Sequence, residues 1–230
     1  MTAKLISCII PVFNGERFLG ETIENILAQT YRPLEVIVID DGSTDGTARV
    51  ADAFGPPVRR IAQSNQGHAA ARNLGLQHAR GALIAFQDAD DLWHPERLER
   101  QAEMLQRRPE VAGCVTHVRN FWENLTPEEA EARYGRRAQA VVGFTAPCLL
   151  AHRWVFDHVG MFNVSLHHSD DADWFLRVRA SGFAIEILDE VLCFRRMHET
   201  NRSSTNADAS VDEYLLLLKR HLDKQRSGDG

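Results

Sequence analysis

The apolar run Leu83-Ile84-Ala85-Phe86 leads straight into Gln87-Asp88-Ala89-Asp90-Asp91, and this junction constrains the chain more than any other feature. The run reads as a buried strand, and an isolated buried carboxylate is very costly. Three acids at the tip of such a strand cannot be packed away unpaired. A divalent cation together with a phosphorylated ligand would offset their repulsion. Asp88 and Asp90, one residue apart on an extended segment, point the same way and could share one cation and a diphosphate. Magnesium or manganese would suit such an oxygen-rich site. The plainer reading of the same residues is an acidic turn with Asp91 capping the next helix.

The surrounding pattern supplies a matching frame. Leu5 to Ile10, Leu34 to Ile39 and Val58 to Ala62 read as strands, with Pro11 stopping the first. Between them, Phe18, Leu19, Ile23, Ile26 and Leu27 mark one face of a helix. Asp45 opens a second helix that Gly55 closes, and Ala69 to His78 forms a third ended by Gly81. His94-Pro95-Glu96 starts a fourth, with proline at its first position, which stops before Pro109. Strand–helix alternation implies a largely parallel sheet with helices on both faces. Such sheets bind ligands at the carboxyl ends of their strands, where both Asp40-Asp41 and Asp88-Asp90 fall.

The second half is less regular. Thr126-Pro127-Glu128-Glu129 is a capping box that opens a charged helix to about Arg137. Phe144 to Leu150 is apolar and broken by Pro147, and Asp170 to Ala180 reads as helix. Ala184 to Leu188 and Val191 to Arg195 read as two short strands around Asp189-Glu190. A tail helix holds Tyr214 to Leu218, and Ser227-Gly228-Asp229-Gly230 is expected to be disordered.

At 230 residues the chain suits one large domain with appended pieces, and its net charge of −6 argues against general nucleic-acid binding. Cys8, Cys114, Cys148 and Cys193 form no CxxC pair, so reduced core thiols are expected. Met1-Thr2-Ala3-Lys4 leads into the first strand without a signal peptide, and no apolar run approaches the roughly 18 residues that span a bilayer. A cytoplasmic protein is the expectation. The Leu215 to Leu218 run could pack on the domain, form a homodimer or touch a membrane peripherally.

Other segments carry chemistry only in combination. Pro11-Val12-Phe13-Asn14 could hold a base with backbone and an aromatic ring, or be an ordinary turn. Asp41 could accept from a ribose or a base N–H, with helix capping by Ser43 or Asp45 as the alternative. Arg72, on a helix of small residues, could reach a phosphate or lie at the surface. Asp170-Asp171-Ala172-Asp173-Trp174 could aim a general base into a cleft, although a helix N-terminus favours acids in any case. His198 could meet a metal or a phosphate, or neither.

Taken together these residues resemble the family 2 glycosyltransferases. Ile10-Pro11-Val12-Phe13-Asn14-Gly15-Glu16 and Val38-Ile39-Asp40-Asp41-Gly42-Ser43-Thr44-Asp45 are similar to the start of that family. Asn65-Gln66-Gly67 with Ala71-Arg72-Asn73-Leu74-Gly75 continues the pattern. Asp88-Ala89-Asp90-Asp91 with Pro95-Glu96-Arg97-Leu98 resembles its DxD segment, and Asp170-Asp171-Ala172-Asp173-Trp174 its acidic base motif. The likeness runs over roughly residues 5 to 205, and the agreement of several motifs in order is more specific than any one. Phe13 stands where Tyr is commoner, and Asp170 where Glu is usual. The QxxRW motif and membrane helices of processive synthases are absent from the sequence.

The resemblance implies a GT-A fold: a nucleotide-binding α/β half at 1–110 with a mostly parallel sheet and a mixed acceptor-side half at 111–205. A C-terminal helix and tail at 206–230 would complete the chain. It implies an inverting, non-processive hexosyltransferase-type enzyme that uses manganese or magnesium and a nucleotide-sugar donor, by default a uridine one. Pro11, Val12, Phe13, Asn14, Glu16, Asp41, Arg72, Asp88 and Ala89 would bind the nucleotide. Asp88, Asp90 and His198 would hold the metal. Asp171 would be the base, with Asp173 as its competitor. The acceptor would be a glycan, a lipid-linked sugar or a peptide, met by residues 120 to 147 with Trp122, Tyr134, Arg136 and Arg137 as contacts. A sugar nucleotidyltransferase is the rival enzyme class, but Asn14-Gly15-Glu16-Arg17 is a poor match to its glycine-rich basic loop. A nucleotide-sugar-binding module without turnover is the non-enzyme rival.

Overall fold

The computed structural model describes residues 3–199, 201, 211–219 and 223. Ser227 to Gly230 lie outside them. Strands β1 (Ile6–Val12) and β2 (Leu34–Asp40) are buried along their whole length, as befits parallel strands covered on both faces. With β3 (Val58–Ala62) and β4 (Leu83–Phe86) they form a parallel set in the order β3-β2-β1-β4. The sheet continues through β8 (Leu149–His152), β6 (Gly113–Phe121), β9 (Ile185–Arg196) and β5 (Leu92–Trp93), with β7 (Val141–Val142) beside β6. Strand β8 runs antiparallel to both β4 and β6, while β9 is parallel to β6. One mixed sheet therefore joins both halves of the chain.

Two apolar layers cover it. On one face α1 (Leu19–Leu27) and α4 (Arg97–Arg107) bury Leu19, Ile23, Ile26, Leu98 and Leu105 against Ile10, Val38 and Ala85. On the other, α3 (His68–His78), α6 (Arg153–Val159) and α7 (Asp170–Ala180) bury Ala71, Leu76, Phe156, Trp174 and Val178 against Ile9, Ile39 and Phe86. Helix α2 (Thr47–Asp52) adds Ala51 to the first of these layers, while α5 (Pro127–Tyr134) contributes to neither.

Several local expectations change. Pro11 does not stop β1. Ile6 donates to Pro33 and Val12 accepts from Asp41, so the even residues bond towards β2, whereas Ile9 accepts from Gln87 on the other side. The β4 ladder ends at Ile9 and Phe86, so Pro11 faces an edge with no pairing to lose. Pro95 stays outside α4, because β5 and the His94 bond to Leu192 hold the chain extended to that point. The two strands expected around Asp189-Glu190 are one. Leu188 pairs with Thr116 and Val191 with His117, so the two acids bulge out of a continuous ladder. The capping box at Thr126 forms as read, but Gly135, at φ 55°, ends the α-helix at Tyr134 and a 3₁₀ turn follows.

Close contact between α3 and β1 depends on Gly75. A Cβ there would lie 2.3 Å from Ile9 Cγ2 in the buried core. Gly75→Ala should therefore destabilise the fold by about 1–3 kcal/mol, the usual range for overpacking. Urea unfolding measures this, and an unchanged midpoint would mean that α3 can shift away freely.

Candidate active site

A cleft of about 660 Å³ opens at the carboxyl ends of β1 and β4, where an open α/β sheet is expected to bind ligand. Pro11, Val12, Phe13 and Asn14 form one wall, and Phe13 is 52% exposed, free to stack on a flat ligand. Asn14 takes the left-handed conformation at φ 54°, which its side chain tolerates. Its amide O accepts from Thr44 N at 2.8 Å and its N–H donates to Ser43 Oγ at 2.9 Å, which binds the β1 turn to the β2 turn.

Two of the residues expected to bind the nucleotide, Glu16 and Asp41, do not line this cleft. Glu16 accepts from Gly46 N and pairs with Arg49, bracing the start of α2. Asp41 is 3% exposed. Its Oδ1 accepts from Gln63 Nε2 and Gln66 N, and its Oδ2 from Gly67 N, so it fixes the loop ahead of α3.

Arg72 organises the centre. Its Nη1 bonds Asp171 at 2.6 Å and Asp170 at 3.1 Å, and its Nη2 meets Asp88 at 3.2 Å. His68 Nε2 lies 2.8 Å from the other oxygen of Asp170. Burial works against the guanidinium charge, but Asp171, Asp170 and Asp88 outweigh it and raise its pKa. Asp171 is pushed up by burial, against the pull of Arg72 and with a push from Asp170. Its second oxygen accepts from Ala146 N at 3.1 Å, at the start of the Ala146–Cys148 turn. Asp173 instead pairs with Arg177 at 2.7 Å and does not line the cleft.

On the opposite side Asp90 Oδ2 sits 2.9 Å from His198 Nε2. Burial raises the pKa of Asp90, and Asp88 adds to it. Asp91 is raised by the same two causes, although its carboxylate accepts from Arg196 N. The acid tip therefore carries repulsion that its own neighbours do not cancel. Oxygen donors with one imidazole suit manganese or magnesium. Among the described residues, however, no group of three or more His, Cys, Asp or Glu forms a ready-made metal site. Asp88, Asp90 and His198 all line the cleft, and substrate phosphates would have to complete a shell there.

The sequence reading missed Arg196. Its side chain donates to Asp90 O, Glu21 and Glu123 and lies over Phe18 and Phe121. It fastens the end of β9 to the acid tip. Nothing in Arg195-Arg196-Met197 separates this buried arginine from its neighbour. Trp122 and Tyr134, expected to meet an acceptor, stack on each other at 4.3 Å and do not line the cleft. The four cysteines are buried and free.

Residues 7–160 match the model of glycosyl transferase family 2. The chain belongs to that family. It is 29% identical over 234 residues to an uncharacterized glycosyltransferase of Rickettsia typhi, covering 96% of this chain and 73% of the relative. It is 38% identical over 110 residues to the glycosyltransferase GlyG of Streptococcus pneumoniae, covering 46% and 36%. Among solved structures it is similar to S. aureus TarS 1-349 in complex with UDP-GlcNAc, with TM-score 0.70 and 19% identity, covering 92% of this chain and 65% of that one. It is also similar to the mannosyltransferase PcManGT from Pyrobaculum calidifontis in complex with GDP-Man and Mn2+, with TM-score 0.68 and 21% identity, covering 99% and 65%. The fold is GT-A, and the protein is a glycosyltransferase. The chain thus spans just under two thirds of these two solved neighbours. Among the described residues no helix is long and apolar enough to cross a membrane.

Removing Arg72 would take away the guanidinium that Asp170 and Asp171 share, leaving His68 beside Asp170. Arg72→Ala should destabilise the protein by about 3–5 kcal/mol, read by denaturant unfolding. A double variant Arg72→Met with Asp170→Asn should recover much of the loss. Equal stability of wild type and the single variant would show that the carboxylates do not depend on this cation.

Proposed function

We propose that the protein transfers a sugar from a nucleoside-diphosphate sugar to a hydroxyl-bearing acceptor, with inversion, and that a divalent cation assists. The supporting observation is that one cleft brings together Phe13, the Asp88–Asp90 tip and Asp171. The neighbours' printed ligands, UDP-GlcNAc and GDP-Man with Mn2+, agree with a nucleotide sugar as donor. A uridine donor is the reading we adopt.

In this reading Phe13 stacks on the base, while the Pro11 and Val12 backbone and Asn14 shape its pocket. Asp41 and Glu16 act from behind, by bracing the loops that wall it. Asp88, Asp90 and His198 would hold manganese or magnesium, with Ala89 beside the diphosphate. The cation would supply charge neutralisation for the departing diphosphate. Arg72 holds Asp88 and Asp171 in a fixed relation across the cleft. Asp171 takes the acceptor proton as the acceptor oxygen attacks from the face opposite the leaving group. A single displacement inverts the anomeric centre. The pKa of Asp171, raised by burial, favours a carboxylate that accepts a proton readily.

A thermal-shift screen of nucleotide sugars with and without manganese tests the donor, because a ligand that binds only the folded state raises the midpoint. Asp171→Asn should lower transfer by about 10²–10⁴-fold while nucleotide-sugar affinity stays close to wild type. Parallel loss of affinity would move Asp171 into the binding set. Proton NMR of the product's anomeric signal separates inversion from retention, and a retained configuration would overturn the single displacement.

A further inference from the structure

Gln87 is fully buried and lines the cleft, yet among the described residues neither its Oε1 nor its Nε2 meets a hydrogen-bond partner. A buried amide with both ends unmade carries its full desolvation cost, so such a side chain is not expected where an apolar one would serve. Its position is fixed by the strand. The Gln87 N–H donates to Ile9 O at 3.0 Å, and the next residue is Asp88. Side chains alternate along an extended segment. Phe86 packs in the layer of α3 and α7, and Asp88 reaches Arg72 on α3. Gln87 falls on the opposite side, with Ala85 and Ala89. Val118, Cys148 and Cys193 of the same layer line the cleft as well, so the floor on this side includes an apolar stretch.

The chemistry of the amide narrows its partner to groups that both donate and accept. Phosphate oxygens only accept, and would meet Nε2 while repelling Oε1. A cation only takes lone pairs, and would meet Oε1 alone. A hydroxyl both donates and accepts, and an apolar floor suits the C–H face of a sugar ring. We propose that Gln87 contacts a hydroxyl of the transferred sugar and makes the cleft discriminate a nucleotide sugar from the bare nucleotide. This rests on the reading of the cleft as a nucleotide-sugar site. It deepens that reading by assigning the sugar's contact to a residue beside, but outside, the acid motif.

The test compares wild type, Gln87→Met and Gln87→Leu by calorimetric titration with manganese. The probes are UDP, GDP, UDP-glucose, UDP-GlcNAc and GDP-mannose. The wild type should prefer one nucleotide sugar over its bare nucleotide. Both variants should lose about ten- to a hundredfold of that preference, with affinity for the bare nucleotide unchanged. That unchanged affinity also shows that the variants are folded. Thermal midpoints of the ligand-free variants should not fall, since an unpartnered amide has been replaced by an apolar chain. A preference kept in both variants would overturn the assignment, as would a wild type that binds nucleotide but favours no sugar. A wild type that binds neither UDP nor GDP would instead overturn the proposed function.

Discussion

The cleft depends on one guanidinium. Arg72 lies on α3 among the small residues Ala69, Ala70, Ala71 and Asn73, and it meets Asp88, Asp170 and Asp171 at once. The first of these sits at the tip of β4 and the other two begin α7, nearly a hundred residues away in sequence. Buried ion pairs often contribute little net stability, because desolvation offsets attraction. Their value here is geometric. The side chain that would take a proton and a side chain that would hold a cation are fixed to the same planar fork. Small residues on either side of Arg72 allow α3 close enough to the sheet for that fork to reach.

A second arginine does the same for the other wall. Arg196 ties the end of β9 to Asp90 and Asp91 through its side chain and its backbone N–H. The acid tip is thus gripped by backbone and cation contacts, yet Asp90 and Asp91 remain raised by burial and by their acidic neighbours. Repulsion that the fold retains is available to bind something positive. The imidazole of this arrangement, His198 against Asp90, comes from beyond β9, so the segments that follow β4 and β9 meet around the same carboxylates.

These contacts explain how far the sequence could be read. Local pattern located β1 to β4, the acid tip and the capping box at Thr126, because each depends on neighbours within a few residues. Arg72 reads as a lone cation on a small-residue helix, able to reach a phosphate or to lie at the surface. Its partners are carboxylates from a distant helix, which no local periodicity encodes. Asp41 and Glu16 belong to the motif but serve the loops behind it, since a motif reports that a residue is required and not which way it faces. Asp189-Glu190 broke one strand into two on paper, because two adjacent acids look like a turn when the bulge that expels them is unknown. Gln87 carried no signal at all. Its interest lies in the partner it lacks.

The chain's last described helical stretch, residues 211–219, bears on Asp171 as well. Glu213 accepts from His167 N at 2.9 Å and from His168 N and Ser169 N at 2.7 Å each. Burial acts to raise its pKa, but these three N–H bonds prevail and lower it. Ser169 is the residue that precedes α7, and Asp171 stands in the first turn of that helix. The carboxylate therefore holds the entry to the helix that carries Asp171. Glu213 ties this stretch to its own chain, while Val211, Leu215 and Leu216 remain exposed. The orientation of that apolar surface is set by the same three bonds that position the start of α7. Whatever covers it would act on a helix already fastened to the cleft.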